Sequence, residues 1–381
     1  MNGVKNLMDK PHLFDGRNMF GPEEMRTWGF NMRELGEDNS VEKLPLVSVI
    51  IPCRNEEKFI GKCLDSIINQ DYPKDKLEVL VIDGMSEDRT ANIVDRYIER
   101  YSFIKLLKNS KKITPVALNI GIKNARGEII IRMDAHSTYR EDYISKSVKY
   151  LQEYNADNVG GIWKIMPREN SLINKSICLA SSSAFGAGNA YYRRGYDKGI
   201  KEVDTVFGGC YKKEIFKKIG LFNENLIRNQ DLEFNLRLVR SGGKILLVPE
   251  IISYYYPKSN FKEFFVHNFK DGFWVTYPTK FGIKAFSWRH LIPLIFILGL
   301  VGNGILGIFL PIFLRLFLFI SGLYILVNFY FSFKIAIKRK NLKYLFLMPI
   351  AFVSRHFGYA LGSLWGFIKL AISELERDKN A

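Results

Sequence analysis

Three acidic residues stand where chemistry is easiest to place: Asp83, Asp134 and Asp231. Asp134 closes the stretch Gly127-Glu-Ile-Ile-Ile-Arg-Met-Asp-Ala-His136, so that a carboxylate and an imidazole lie two positions apart. Such a pair can jointly hold a divalent cation such as Mn²⁺ or Mg²⁺. The competing reading makes Asp134 the cap of a turn and His136 a surface residue, and Asp-x-His alone does not separate the two. Asp83 is followed by Gly84, which permits close approach of a ligand. Its carboxylate can accept from a nucleobase imide or a ribose hydroxyl. Within Asp83-Gly-Met-Ser-Glu-Asp-Arg-Thr90, Ser86 is a good N-cap and Glu87 and Asp88 suit a positive helix start, so much of the run is helix initiation. Asp231 lies in Asn229-Gln-Asp-Leu-Glu-Phe-Asn-Leu-Arg237, at or just before a helix whose apolar period is Leu232, Leu236 and Val239. On that pattern alone Asp231 is an ordinary cap and Glu233 a solvated first-turn acid.

These residues need a scaffold that brings them together. From Val47 onward, apolar runs of strand length at 47–52, 77–83, 103–107 and 128–133 alternate with helical patterns at 57–70, 88–101 and 114–125. Alternation of this kind implies βαβ units, an α/β fold and a mainly parallel sheet. Right-handed crossovers then put all four strand ends on one side, gathering Arg54, Asn55, Asp83, Asp134 and His136. That edge is where open α/β sheets bind ligands. The Gly-x-Gly-x-x-Gly fingerprint and the Walker pattern are both missing, which argues against a dehydrogenase or an ATPase. Further on, Phe207-Gly-Gly-Cys210 leads into a helix at 213–219.

Hydropathy changes sharply near Arg289. Residues 291–310 contain no charge and 311–333 contain only Arg315, each long enough to cross a bilayer as a helix. A third apolar region, 342–372, is interrupted by Arg355, His356 and Lys369, and either spans or lies partly in the interface. Lys334, Lys338, Arg339, Lys340 and Lys343 separate the second and third regions, and Arg289 precedes the first. The positive-inside rule puts that loop and the N-terminal part on the cytoplasmic face of a cell membrane. The start of the chain has no apolar h-region, so no cleaved signal peptide is expected. A net charge of +16 suits anionic lipid or anionic substrates. The basic residues are scattered rather than set in a groove-reading motif, so nucleic acid is not the expected partner. Cys53, Cys63, Cys178 and Cys210 show no paired metal spacing and read as free, buried or half-buried thiols. The resulting organisation is an extension over 1–45 dotted with Phe14, Phe20, Trp28 and Phe30, and an α/β domain over 46–250. An aromatic- and lysine-rich interfacial segment over 251–290, two or three membrane helices over 291–372 and a polar tail over 373–381 follow.

Pro52-Cys-Arg-Asn-Glu56, the Asp83 to Thr90 run, Asn119-x-Gly121 with Ala125-Arg-Gly127, and Asp134-Ala-His136 together resemble the family 2 glycosyltransferases. These are inverting enzymes of the GT-A fold, a Rossmann-like nucleotide-diphospho-sugar transferase domain. The likeness is to the membrane-attached branch that builds bacterial and archaeal exopolysaccharides, the succinoglycan type, where Asp-Ala-His replaces Asp-x-Asp. It covers 47–249. The resemblance implies that Pro52, Arg54, Glu56 and Asp83 line the base and ribose of a nucleotide-sugar site, with Lys112 as the basic residue near the nucleotide. It implies that Asp134 holds a divalent cation on the diphosphate, with His136 binding that metal directly or through water. Asp231 would be the general base, preceded by Gln230 where the family has Glu. Gly208, Gly209, Gln230 and Trp274 would lie on the acceptor side. Processive members carry Gln-x-x-Arg-Trp, and Lys270-Asp-Gly-Phe-Trp274 lacks both the Gln and the Arg. The expected activity is therefore transfer of a sugar from a nucleotide-diphosphate donor to a lipid-linked, polyprenyl or glycan acceptor. A processive polysaccharide synthase and a non-catalytic nucleotide-binding scaffold are the rival readings.

Overall fold

A computed structural model describes residues 44–379, apart from 189, 196, 284, 285 and 287. The expected packing of the N-terminal extension falls on residues 1–43, outside the described ones.

The apolar runs form the strands they predict. β1 (Val47–Cys53), β2 (Leu77–Asp83), β3 (Ile104–Lys108) and β4 (Ile129–Arg132) pair in parallel in the order β3-β2-β1-β4. Side chains alternate between the two faces of a strand, and here both faces are covered, which is why β1 and β2 read as nearly continuous apolar runs. On one face Val49, Ile51 and Val79 pack with Ile60 and Leu64 of α1 (Ile60–Ile68) and Val94 of α2 (Thr90–Ile98). On the other, Ile50, Leu80 and Ile82 pack with Leu118 and Ile122 of α3 (Thr114–Asn124). Each fully buried aliphatic side chain stabilises the fold by about 1.5–3 kcal/mol. Gly121 is needed in α3, because a Cβ there would sit 2.5 Å from Ile50 Cγ2. Asn119 anchors the same helix, holding Phe222 through both its amide and its carbonyl at 3.0 and 2.9 Å.

The second half of the sheet is mixed. It comprises β5 (Ser137–Tyr139), α4 (Tyr143–Glu153), β6 (Asn158–Ile165), α5 (Leu172–Ser182), β7 (Lys201–Glu202), β8 (Cys210–Lys212), α6 (Glu214–Lys218), α7 (Gln230–Arg240) and β9 (Ile245–Tyr255). β8 inserts antiparallel between β4 and β6, while β9 runs parallel to β6 and antiparallel to β5 and β7. The β6–β9 register breaks between Gly160 and Ile162, where a side chain on Gly161 would collide with the Ile251 carbonyl. The sheet thus continues past residue 250, to Tyr255.

The stripe on α7 differs from the expected Leu232, Leu236 and Val239. Phe234 and Leu238 are fully buried with Leu236 nearly so, whereas Val239 is 40% exposed and Leu232 is only partly covered. The aromatic pocket of Tyr211, Phe216 and Phe222 takes Phe234, and that tertiary demand selects the buried face.

After the sheet come α8 (Phe261–Thr276), α9 (Ile292–Leu306), α10 (Pro311–Lys338) and α11 (Tyr344–Lys379). Three stretches, Trp288–Leu306, Pro311–Lys338 and Tyr344–Ser373, are long and apolar enough to cross a membrane. α11 lies along α8 in backbone contact. Added side chains at Gly362 and Gly272 would collide with the carbonyls of Phe269 and Tyr359, and Thr276 Oγ1 donates to the Ser363 carbonyl at 2.8 Å.

Candidate active site

The end of β4 carries the centre of the site. Arg132, its last residue, is almost completely buried, with Nη2 at 3.1 Å from Asp134 Oδ1 and Nη1 at 3.5 Å from Asp231 Oδ2. Its guanidinium also lies 5.3 Å from the centre of the Phe207 ring. Burial opposes the charge of Arg132, but the neighbouring carboxylates of Asp134 and Asp231 more than offset it and raise its pKa. Nε and Nη1 are buried without a hydrogen bond, so the Asp231 contact is an ion pair with slack in it. Asp134 is fixed by Tyr139, whose hydroxyl accepts from the Asp134 amide at 2.6 Å. His136 donates through Nδ1 to Glu56 Oε1 at 3.2 Å. Partial burial works against an imidazolium there, yet the hydrogen bond to Glu56 and the charges of Asp134 and Glu56 raise the His136 pKa.

The loops leaving β1 and β2 are laced together. Asn55, in the left-handed region at φ 55, donates its amide to Ser86 Oγ at 2.9 Å, and its side chain accepts from the Glu87 amide at 2.9 Å. The Glu56 amide meets Thr90 Oγ1 at 2.7 Å and the Glu57 amide meets Asp88 at 3.1 Å. Asp88, not Ser86, receives the first amide of α2, from Thr90 at 2.9 Å. Ser86 donates instead to Asp83 Oδ1 at 2.5 Å. The two motifs therefore serve mainly to hold one loop on the other, and they leave Arg54 and Glu56 facing the open space.

Asp231 is the second residue of α7, behind Asn229 in the left-handed region at φ 58. Its Oδ1 accepts from the Leu232 amide at 3.0 Å. Asn235 sets the helix in place: it accepts from Asn158 at 2.9 Å and donates to Thr205 and the Val206 carbonyl at 3.1 and 3.0 Å. Glu233 is not a free first-turn acid, since Arg237 binds it at 2.9 Å.

A single cavity of about 1230 Å³ joins these groups. Pro52, Arg54, Glu56, Lys112, Asp134, His136, Gln230 and Asp231 all line it. Four of the expected site residues are not on its wall. Asp83 is buried beside it with Gly84 on the wall. Gly208 and Gly209, at φ 76 and 87, support Arg132: the Gly209 carbonyl accepts from the Arg132 amide at 3.0 Å. Trp274 packs on Phe273 and Tyr277 instead. One turn earlier on α8, Asp271 does reach the cavity, held by Arg228 at 2.5 Å and by His267 at 3.3 Å. Burial works against the Asp271 charge, but His267, Arg228 and Arg193 lower its pKa overall. Burial brings His267 down to about 4, with Asp271 opposing and the neighbouring guanidinium groups reinforcing the shift. A further wall is aromatic: Trp163 stacks on Tyr255 at 4.4 Å, meets Phe207 edge-on at 4.1 Å and carries Arg193 at 5.1 Å.

Sequence reasoning missed Arg132, although a charge ending an isoleucine run was a visible signal. It also missed Asp271 and the Trp163 wall, whose roles arise from packing between segments far apart in the chain. The four cysteines are free and buried as expected, and burial pushes the Cys178 thiol up to about 12.

Among the described residues no three or more His, Cys, Asp or Glu side chains converge into a ready-made cation cage. Asp134 and His136 form a two-donor set at the cavity wall, and Mn²⁺ or Mg²⁺ that keeps waters and substrate phosphate oxygens fits such a set. Each donor has one atom engaged, with Arg132 and with Glu56. The second oxygen of Asp134 and Nε2 of His136 would be the atoms left to a cation.

The parallel β3-β2-β1-β4 core, the antiparallel β8 beside it and the carboxylates of Asp134 and Asp231 facing one cavity define a GT-A fold transferase. The chain belongs to the Glycosyl transferase family 2, whose family model matches residues 48–220. A dolichyl N-acetyl-α-D-glucosaminyl phosphate 3-β-D-2,3-diacetamido-2,3-dideoxy-β-D-glucuronosyltransferase of Methanococcus voltae is 30% identical over 331 residues, 85% of this chain and 97% of that protein. The succinoglycan biosynthesis protein ExoA of Rhizobium meliloti is 27% identical over 226 residues, 59% of this chain and 67% of its own. Mannosyltransferase PcManGT of Pyrobaculum calidifontis, solved with GDP-Man and Mn²⁺, shares the fold at a TM-score of 0.56 and 20% identity, over 84% of this chain and 87% of its own.

Proposed function

We propose that the chain is a membrane-attached, inverting, metal-dependent glycosyltransferase, with its catalytic domain on the cytoplasmic face. It moves one sugar from a nucleotide-diphosphate donor to a lipid-linked glycan acceptor in exopolysaccharide or cell-surface glycan synthesis. The observation that carries the reading is Arg132, which ties Asp134 at the sheet edge to Asp231 on α7 across one cavity. Pro52, Arg54, Glu56 and Lys112 receive the nucleotide on the sheet side, with Asp83 behind them keeping the loop in shape. Bound by Asp134 and His136, a divalent cation supplies charge neutralisation to the departing diphosphate. Asp231 takes the proton of the acceptor hydroxyl as its oxygen bonds to the anomeric carbon. The bond from that carbon to the diphosphate breaks on the opposite face, in a single displacement. Arg132 positions Asp231 and Asp134 without touching the reacting atoms. The name of the Methanococcus voltae relative, a transferase acting on a dolichyl-phosphate-linked sugar, supports a lipid-linked acceptor. So do three helices fit to cross a membrane. The place of Trp274, off the cavity wall, supports a single addition rather than a processive synthase.

The test is thermal stabilisation of the detergent-purified chain by a panel of nucleoside diphosphates, with and without Mn²⁺. One nucleotide should raise the melting temperature only when Mn²⁺ is present, and Asp134→Ala should abolish the shift. No stabilisation by any nucleotide would sink the reading, and stabilisation without turnover of any nucleotide sugar would favour the non-catalytic scaffold.

A further inference from the structure

The cavity does not end at Asp231. Beyond it the wall carries Arg193, Arg228 and Arg355, all half-buried, around the single carboxylate of Asp271. Arg228 and His267 take up that carboxylate, at 2.5 and 3.3 Å. Arg193 donates to Tyr192 at 3.1 Å and lies over Trp163, while Arg355 donates to the Gly186 carbonyl. Among the described residues neither Arg193 nor Arg355 has an ion-pair partner. Arg289, on the same wall, shows the contrast, because Asp204 pairs with it at 2.8 Å. Three guanidinium groups with one carboxylate leave two positive charges in excess. Charges drawn partly out of water are ordinarily paired, so such an excess is complementary to an anionic phosphate group. Arg355 also sits within the third apolar stretch, where a charged residue that faces a cavity marks a substrate path.

Two further features say what the anion is attached to. Past the cluster the wall turns apolar, with Ile292, Pro293 and Phe296 of α9 and Tyr324 of α10. Both helices belong to stretches fit to cross a membrane. In the other direction the cluster is joined to the proposed base, since Arg228 and Asn229 directly precede Gln230 and Asp231. The Asn229 side chain donates to the Asp271 carbonyl at 3.1 Å.

We infer that Arg193, Arg228 and Arg355 hold the phosphate of a lipid-linked saccharide, with its hydrocarbon tail leaving along α9 and α10 and its sugar hydroxyl directed at Asp231. The inference rests on the reading of the chain as a transferase with a lipid-linked acceptor, and adds the site that recognises it. Phosphate recognition by several guanidinium groups follows from their fixed fork of donors.

The probes are farnesyl phosphate, farnesol and inorganic phosphate, each titrated by calorimetry against the full chain in detergent. Farnesyl phosphate should bind, and the other two should bind at least about tenfold more weakly, the scale of one lost charge-assisted contact. Arg193→Gln and Arg355→Gln should each weaken farnesyl phosphate by about tenfold or more, and Arg355→Lys should recover most of the loss. Equal binding of farnesol would mean an apolar slot that ignores phosphate, and equal binding of inorganic phosphate a site for the free ion; either overturns the inference. Undiminished affinity in both Gln variants does the same. Removing an uncompensated charge should leave the unliganded melting temperature unchanged or higher, so a marked fall in both variants would assign the arginines a purely structural role. Nucleoside diphosphate binding with Mn²⁺, followed on the same samples, separates the two levels. If it persists while wild type fails to bind farnesyl phosphate, only this site is wrong; if it is missing in wild type, the transferase reading itself falls.

Discussion

Arg132 holds one carboxylate of its own strand end and one from α7, which lies about a hundred residues on in the chain. Its value is positional: Asp134 and Asp231 would otherwise be free to choose separate rotamers, and small misplacements of reacting groups cost about 10²-fold in rate. Arg132→Gln is expected to lower kcat by about 10²-fold, with a clearly smaller loss of nucleoside diphosphate binding with Mn²⁺ through Asp134. Arg132→Lys should recover part of kcat, because an ammonium keeps the charge but lacks the rigid planar fork of donors. Equal loss of nucleotide affinity and kcat would show that Arg132 belongs to the donor pocket instead. Asp83 offers a contrast at the same scale. Its carboxylate is engaged by the Ser86 hydroxyl and amide, so Asp83→Asn should act through the shape of the loop. Nucleotide affinity should fall with the melting temperature rather than independently of it.

Elements are held by a few buried polar ties as well as by the apolar layers. Glu78 of β2 has no exposed side-chain surface and accepts from Ser48 at 2.7 Å, from the Arg126 amide at 2.9 Å, and from the Arg126 and Lys105 side chains at 2.8 and 3.3 Å. It clamps β1, β2, β3 and the turn before β4. Burial opposes its ionisation, but the donors of Arg126, Ser48 and Lys105 prevail and lower its pKa below the ordinary 4.5. A carboxylate depressed in the folded state contributes stability that is fully present above its unfolded pKa and is lost as pH falls through the folded one. Glu78→Gln should therefore cost about 2–3 kcal/mol at neutral pH and flatten the decline of melting temperature below pH 4.5. An unchanged acid limb in the variant would contradict this. At the other end of the molecule, Gly362→Val should drive α11 off α8, since the new side chain meets the Phe269 backbone. A cost of about 1–3 kcal/mol from overpacking should show as earlier proteolysis within 256–379, with the sheet still protected.

The same elements explain what the sequence let one read. β1 to β4 and α1 to α3 were legible because apolar runs alternate with helical patterns, β1 and β2 being buried on both faces, and the motif residues follow directly from the strand ends. β5, β7 and β8 are two or three residues long and carry no period, so the antiparallel insertion of β8 beside β4 depends on pairing that only the folded chain reveals. α7 has enough apolar residues to support two stripes, and the Phe234 pocket decides between them. Ser86 and Asp88 show the limit of capping patterns, since either could have started α2 and the loop of β1 claims Ser86. Trp274 and Asp271 lie three apart on α8, close to a single turn, and only the packing against α11 settles which one meets the cavity.

For the whole molecule, one cavity runs from the ends of the parallel strands, past Asp231, to helices apolar enough to cross a membrane. Such continuity suits a soluble, charged donor entering from one side and an amphipathic acceptor from the other, and the net charge of +16 favours both as anions. The most direct test of this account is transfer in proteoliposomes that carry the full chain and a membrane extract of polyprenyl-linked saccharides, supplied with a radiolabelled nucleotide sugar and Mn²⁺. The account predicts label in the organic-soluble lipid fraction, one sugar per acceptor, with Asp231→Asn slower by about 10²–10⁴-fold although it still binds the nucleotide. Undiminished transfer by Asp231→Asn, or label found in a long polymer with none on lipid, would contradict it.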